Sequence, residues 1–184
     1  MSIQAAIVAE TIFDGHRFRS RLEARWAVFF KTLGIIYEYQ REAFELPSGW
    51  FLPAFWLPVE KCWIHIAPTG SSKFSEPCHE LSSRSGEQVL YVVGNPWQMG
   101  YCIQVYSVRS PETTFDTPYN EDAVFAEDRK ADRCLWISGD NGASSLTPST
   151  DSKHGEDWPM ENGSWLCNAY ETAKLAGFES DNSR

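Results

Sequence analysis

The sequence predicts a mixed α/β domain, α+β in its arrangement, with one central sheet flanked by helices. Three observations lead there. Apolar residues recur at helical spacing over 18–33 and again over 164–178. Between them lie short runs of β-branched and aromatic residues bounded by Gly, Pro, Asn and Ser, the pattern of strands. Helical and strand patterns also alternate along the chain, which a layered domain requires.

Taken in order, residues 5–12 alternate weakly and stop at Asp14-Gly15, a strand and a turn. Leu22, Trp26, Phe29 and Leu33 place a helix over 18–33. Gly34 stands where a C′ glycine belongs, and Ser20 followed by Glu23 offers a capping box that would start the helix later. Residues 35–39 read as a strand. Phe44-Glu45-Leu46 and Trp50-Phe51-Leu52 read as a hairpin turning at Pro47-Ser48-Gly49. Pro53 and Pro58 bracket Ala54-Phe55-Trp56-Leu57, which must therefore be extended or edge-like. Residues 62–67 form a buried strand. A short helix covers 76–85 and ends at Gly86, and strands follow over 88–93 and 101–108. Residues 110–132 are polar and acidic with little period. Residues 134–137 read as one more strand, 144–159 as a surface loop, and 164–178 as a closing helix with Leu166, Ala169, Tyr170, Ala173 and Ala176 near one face. The whole reads as one domain over 1–184, with a divergent, loop-rich acidic insert at 110–163.

Composition narrows the function. The 184 residues suit one domain with a real core, and 42% hydrophobic residues fit a folded chain. The net charge of -9 is uneven: 8 basic and 7 acidic residues lie in 1–75, against 8 and 18 in 76–184. An acidic second half repels phosphate backbones and suits a basic protein partner or plain solubility. Five scattered cysteines without a CxxC pair argue against a disulfide framework or a zinc knuckle. With no signal peptide and no membrane-length apolar run, the expected compartment is the cytoplasm.

The stretch from 17 to 67 carries the most specific signal. It contains Arg19-Ser20-Arg21-Leu22-Glu23-Ala24-Arg25-Trp26-Ala27-Val28-Phe29-Phe30, then Leu52-Pro53-Ala54-Phe55-Trp56-Leu57-Pro58, then Trp63-Ile64-His65-Ile66-Ala67-Pro68. These segments resemble the PD-(D/E)xK nuclease superfamily, in particular its small phage- and prophage-type members. The likeness extends through the helix at 76–85, the strand end at 90–96 and the closing helix, and is weak over 110–163. It implies a restriction-endonuclease-like domain. In such nucleases an Asp and a strand Glu hold Mg²⁺, a Lys two residues later orients the attacking water, and a helix Glu often completes the shell. Carried over residue by residue, only Glu23 is kept. Ala54 stands for the Asp, His65 for the Glu and Ala67 for the Lys. The resemblance thus implies a degenerate site with no metal cofactor and no inherited hydrolysis.

Each position also has a plainer role. Glu23 is either a relic of the metal shell or a partner of Arg19 and of the helix start, and the second reading is favoured. His65 is expected to be hydrogen-bonded within its strand, with ligation beside Glu23 as the alternative. Lys73, Glu76, Glu80 and Arg84 are candidates for migrated active-site groups, which would restore Mg²⁺ chemistry. Cys62 and Cys78 read as packing, and His16, His79 and His154 as surface residues. Arg17, Arg19, Arg21 and Arg25 form a basic cluster that could touch phosphate, although helical spacing does not put them on one face. Trp50, Phe51, Phe55 and Trp56, some of which match aromatic positions of the family, read as core, while Trp158, in a polar loop, is the expected exposed anchor for a partner.

Three functions follow. The first is an inactive nuclease-like protein that binds a host protein or nucleic-acid-handling complex, its concrete form being a phage anti-CRISPR or anti-restriction inhibitor. The second is a nucleic-acid binder that kept the groove and lost hydrolysis. The third is a metal-dependent nuclease with relocated ligands.

Overall fold

The structure is a computed structural model that describes residues 11–72, 75–97, 102–107, 119–127, 135–139, 142–145 and 164–180. A hairpin of β1 (Thr11–Phe13) and β2 (His16–Phe18) opens it, turning at Asp14 and Gly15 with φ of 51° and 76°. Two successive positive φ values match the twist of a tight hairpin, hence Asp-Gly. The helix α1 (Arg21–Thr32) starts at Ser20, whose hydroxyl accepts the Glu23 N–H at 3.1 Å. Gly34, at φ 73°, ends it. The Gly34 N–H donates to the Lys31 carbonyl at 3.0 Å and the Ile35 N–H to the Phe30 carbonyl at 2.9 Å, the paired bonds of a Schellman cap.

Eight strands form the main sheet, in the order β12-β11-β10-β9-β8-β7-β6-β3. They are β3 (Glu38–Tyr39), β6 (Phe55–Leu57), β7 (Cys62–Ala67), β8 (Gln88–Val93), β9 (Cys102–Ser107), β10 (Tyr119–Glu127), β11 (Leu135–Gly139) and β12 (Gly142–Ser145). β7 and β8 run parallel, joined through α2 (Glu76–Ser85), and the other neighbours pair antiparallel. β4 (Phe44–Leu46) and β5 (Gly49–Phe51) make a separate hairpin. The closing helix is α3 (Ser164–Leu175), and β13 (Glu179–Ser180) pairs back onto β1. The molecule is therefore mixed α+β, with a mixed sheet and three helices among the described residues. No helix among them is long and apolar enough to cross a membrane.

Alternation along β7 divides the core. Cys62, Ile64 and Ile66 join Phe55, Leu57, Leu90 and Val92 under α1 and α3. Trp63 and Ala67 point the other way, into a second cluster with Trp56, Val89 and Tyr91, closed by Leu46 and Phe51 of the hairpin and by Cys78 and Leu81 of α2. α1 and α3 meet through Phe29 and Tyr170, whose rings stack at 5.2 Å. Cys62 and Cys78 are buried, and burial pushes both thiols up, Cys78 to about 12.

Several expectations need correction. Of residues 35–39 only Glu38 and Tyr39 are strand. Of the two alternatives for residues 55–57, the extended one holds and the edge does not, because β3 pairs with Phe55 and Trp56 and both prolines fall outside the strand. Within the acidic stretch 110–132, β10 is a nine-residue strand. Neither alternating set of its residues is uniformly apolar, so pairing with β9 and β11, not side-chain pattern, makes it a strand. Of the predicted loop 144–159, Ser144 and Ser145 instead belong to β12, where they pair with Ile137 and Trp136, and the rest lies outside the described residues.

The fully buried Trp26 joins α1 to the end of β8 by donating from Nε1 to the Gly94 carbonyl at 2.9 Å. Trp26→Phe should lower stability by about 2 kcal/mol, through lost volume and an unpaired buried carbonyl. Urea unfolding would show it as a lower midpoint at unchanged slope.

Candidate functional site

The four positions to which the resemblance points lie on or beside three elements. Glu23 lies in the first turn of α1, where Ser20 fixes the helix start. Ala54 immediately precedes β6, and His65 and Ala67 lie two apart on β7. The antiparallel ladder of β6 and β7 ends at Phe55 opposite Ile64, so Ala54 and His65 lie just beyond its last pair. Arg19, which pairs with Glu23, lies near enough to His65 for its charge to act on the imidazole.

Glu23 is buried at 5% exposure, and both its oxygens are engaged. Arg19 Nη2 donates to Oε1 at 2.9 Å, and Tyr39 Oη donates to Oε2 at 2.7 Å. Tyr39 Oη also accepts the Arg19 N–H at 2.8 Å and Gln40 Nε2–H at 3.0 Å. Arg19 Nη2 reaches the Leu52 carbonyl at 3.5 Å. Gln40, in the left-handed region at φ 49°, donates its N–H to the Ala54 carbonyl at 2.9 Å. Burial, together with the Glu23 carboxylate it donates to, pushes Tyr39 up to about 12, so its hydroxyl stays protonated. Glu23 therefore has the structural role that sequence favoured, with Tyr39 and Gln40 added to it.

His65 is not hydrogen-bonded in the way expected. Its Nδ1 is buried without a partner, and the ring lies 4.9 Å from Phe51 and 6.1 Å from Tyr91, nearly parallel to the latter. Aromatic packing, not hydrogen bonding, holds it, because the hairpin closes over β7. Burial and the nearby Arg19 charge push His65 down to about 4, so the imidazole is neutral. Ala54 and Ala67 are buried at 0% and 6% exposure and offer no side-chain donor.

These residues do not fit Mg²⁺. That ion takes oxygen ligands in octahedral geometry and is usually held by one or two carboxylates. Here the one carboxylate already has a guanidinium and a phenol on its oxygens, and the groups opposite are methyls and an imidazole. Of the migration candidates, Glu80 accepts from the Ser48 N–H at 3.1 Å and the Ser48 hydroxyl at 2.6 Å. Arg84 donates to the Glu45 carbonyl, Glu76 is exposed, and Lys73 lies outside the described residues.

The basic cluster disperses. Arg17 and Arg21 are exposed, and Arg19 is tied to Glu23. Arg25 turns to Asn95 Oδ1 at 3.4 Å and lies over the Trp97 ring at 4.7 Å. His16 is exposed, and His79 is half-buried against the Tyr106 ring. Trp158 and His154 lie outside the described residues. One aromatic expectation fails outright: Phe51, Phe55 and Trp56 are buried, but Trp50 is 77% exposed. It is the outward member of β5 next to the inward Phe51, a pattern that the alternation Trp50-Phe51 already carried. Tyr39 left no such signal, because its partner Glu23 is 16 residues away along the chain.

No protein-family model, no curated protein and no solved structure matches the chain.

The depressed His65 sets a pH dependence. The unfolded imidazole takes a proton near pH 6.5 and the folded one near 4, so the unfolded state binds more protons between those values. Stability is then full above pH 6.5 and falls towards pH 4, by up to roughly 3 kcal/mol from this group. Urea unfolding at pH 7 and pH 4.5 should show a larger acid loss for the wild type than for His65→Phe, and equal losses would refute the assignment.

Proposed function

We propose that this chain is a catalytically inactive, nuclease-like protein of phage or mobile-element type that acts by binding protein, as an anti-defence inhibitor of a nucleic-acid-handling complex. One observation carries the reading: the single carboxylate at the degenerate site is already neutralised by Arg19 and held by Tyr39, while two alanines and a neutral imidazole stand at the other positions. A two-carboxylate cage lowers the pKa of a bound water and offsets charge on the phosphate. Each such contribution is worth several kcal/mol at the transition state, at about 1.4 kcal/mol per tenfold in rate.

The order of helix, hairpin, strand, helix and parallel strand around a mixed sheet supports a restriction-endonuclease-like domain. The net charge of -9 supports a protein partner with a basic surface over nucleic acid itself. Such a partner is a DNA- or RNA-handling defence complex in the cytoplasm of a bacterial host, whose nucleic-acid channel an acidic protein can occupy.

With Mg²⁺ or Mn²⁺, the purified chain should cleave plasmid, single-stranded DNA and RNA no faster than buffer does, and calorimetry should detect no tight uptake of either ion. Cleavage that disappears in Glu23→Ala would overturn the proposal. A salt-dependent gel shift with DNA would favour the nucleic-acid-binding alternative. Affinity purification from a bacterial host with mass spectrometry identifies the partner.

A further inference from the structure

The β4–β5 hairpin has two different faces. Phe44 pairs with Phe51 and Leu46 with Gly49, and Leu46 and Phe51 are buried against the sheet, where Phe51 covers His65. Between these pairs, Glu45 and Trp50 lie directly opposite each other and both are exposed. Trp50 is 77% exposed and has no ring contact among the described residues. The Glu45 carboxylate has no ion pair among them either, since Arg84 binds its carbonyl oxygen instead.

We infer that this outward pair anchors a cationic protein surface, with an Arg or Lys of the partner lying over the Trp50 indole and pairing with the Glu45 carboxylate. The inference rests on the protein-binding reading above and gives it a surface and a partner chemistry. Directly opposed side chains on paired strands stand about 5 Å apart at Cβ, so one guanidinium spans both groups. The negative face of an indole attracts a cation, and a carboxylate accepts bidentate bonds from Arg. The chain uses the same geometry internally twice, with Arg25 4.7 Å over Trp97 and Arg41 5.3 Å over Trp56. Among the described residues no cation of the chain lies over Trp50.

The hairpin is also held rigidly. Both bonds from Ser48 to Glu80, the Arg84 bond and the edge-to-face contact of Phe44 with Trp63 at 5.1 Å fix it from different sides. A Trp presented on a fixed strand loses little freedom on binding, which is what a hot-spot residue requires. A nucleic-acid base would also stack on Trp50, but Glu45 beside it and the net charge of -9 repel the phosphates.

The test uses the full chain with ¹⁵N-labelled tryptophan, a nona-arginine peptide, its neutral citrulline counterpart and oligo-dT. The arginine peptide should shift the indole resonance that is missing from Trp50→Ala, and the citrulline peptide should not. Trp50→Ala keeps the net charge, so its affinity should fall about tenfold only if the ring is an anchor. Glu45→Gln should lose about threefold, and the remaining indole resonances report that both variants stay folded. Unchanged affinity in Trp50→Ala, no binding of the arginine peptide, or a shift of that resonance by oligo-dT in place of the peptide would each overturn the inference. Metal-dependent cleavage would sink the inactive-nuclease reading without altering any of these peptide outcomes.

Discussion

The buried carboxylate of Glu23 is the constraint on which the surrounding structure depends. A charge removed from water is tolerated only when its lone pairs and its sign are both matched. Arg19 supplies the opposite charge and Tyr39 a neutral donor. Those two partners come from the chain on either side of α1, so satisfying one carboxylate fixes the entry to the helix against β3. Gln40 extends the arrangement to Ala54, and Arg19 extends it to Leu52. Removing one member would leave a buried charge or donor exposed to nothing, which is why the network holds as a unit.

The same network decides what the site can do. Both oxygens of that carboxylate are taken up within the chain, one by a guanidinium and one by a phenol. Across from it, the inner face of the β4–β5 hairpin packs Phe51 onto His65 and keeps that imidazole neutral. The hairpin's outer face carries Trp50 and Glu45 into solvent. One small two-stranded element therefore covers His65 with one face and carries Trp50 and Glu45 on the other.

Helix ends and strand bounds were legible wherever local chemistry sets them. Ser20 caps α1, Gly34 and Gly86 end helices in the left-handed region, and residues 62–67, 76–85 and 88–93 form the elements that their patterns predict. The pairing of Glu23 with Arg19 was legible as well, because the two lie four residues apart. Tyr39, Gln40 and the dispersal of the arginines were not, since those depend on which distant segment packs alongside. β10 escaped notice because backbone pairing with its neighbours, and not apolar alternation, makes it a strand.

Sequence by itself thus determined the local elements, the residues standing at the four candidate positions and the acidic balance of the chain. These follow from side-chain identity, turn chemistry and spacing, which act over a few residues. Only the tertiary structure decided that Glu23, paired with Arg19, is also hydrogen-bonded by Tyr39, that His65 packs against the Phe51 and Tyr91 rings, and that Trp50 faces water while Phe51 does not. Each of those depends on which surfaces meet when the hairpin and α1 close on the sheet, and contact across space is not encoded in the spacing of neighbours along the chain.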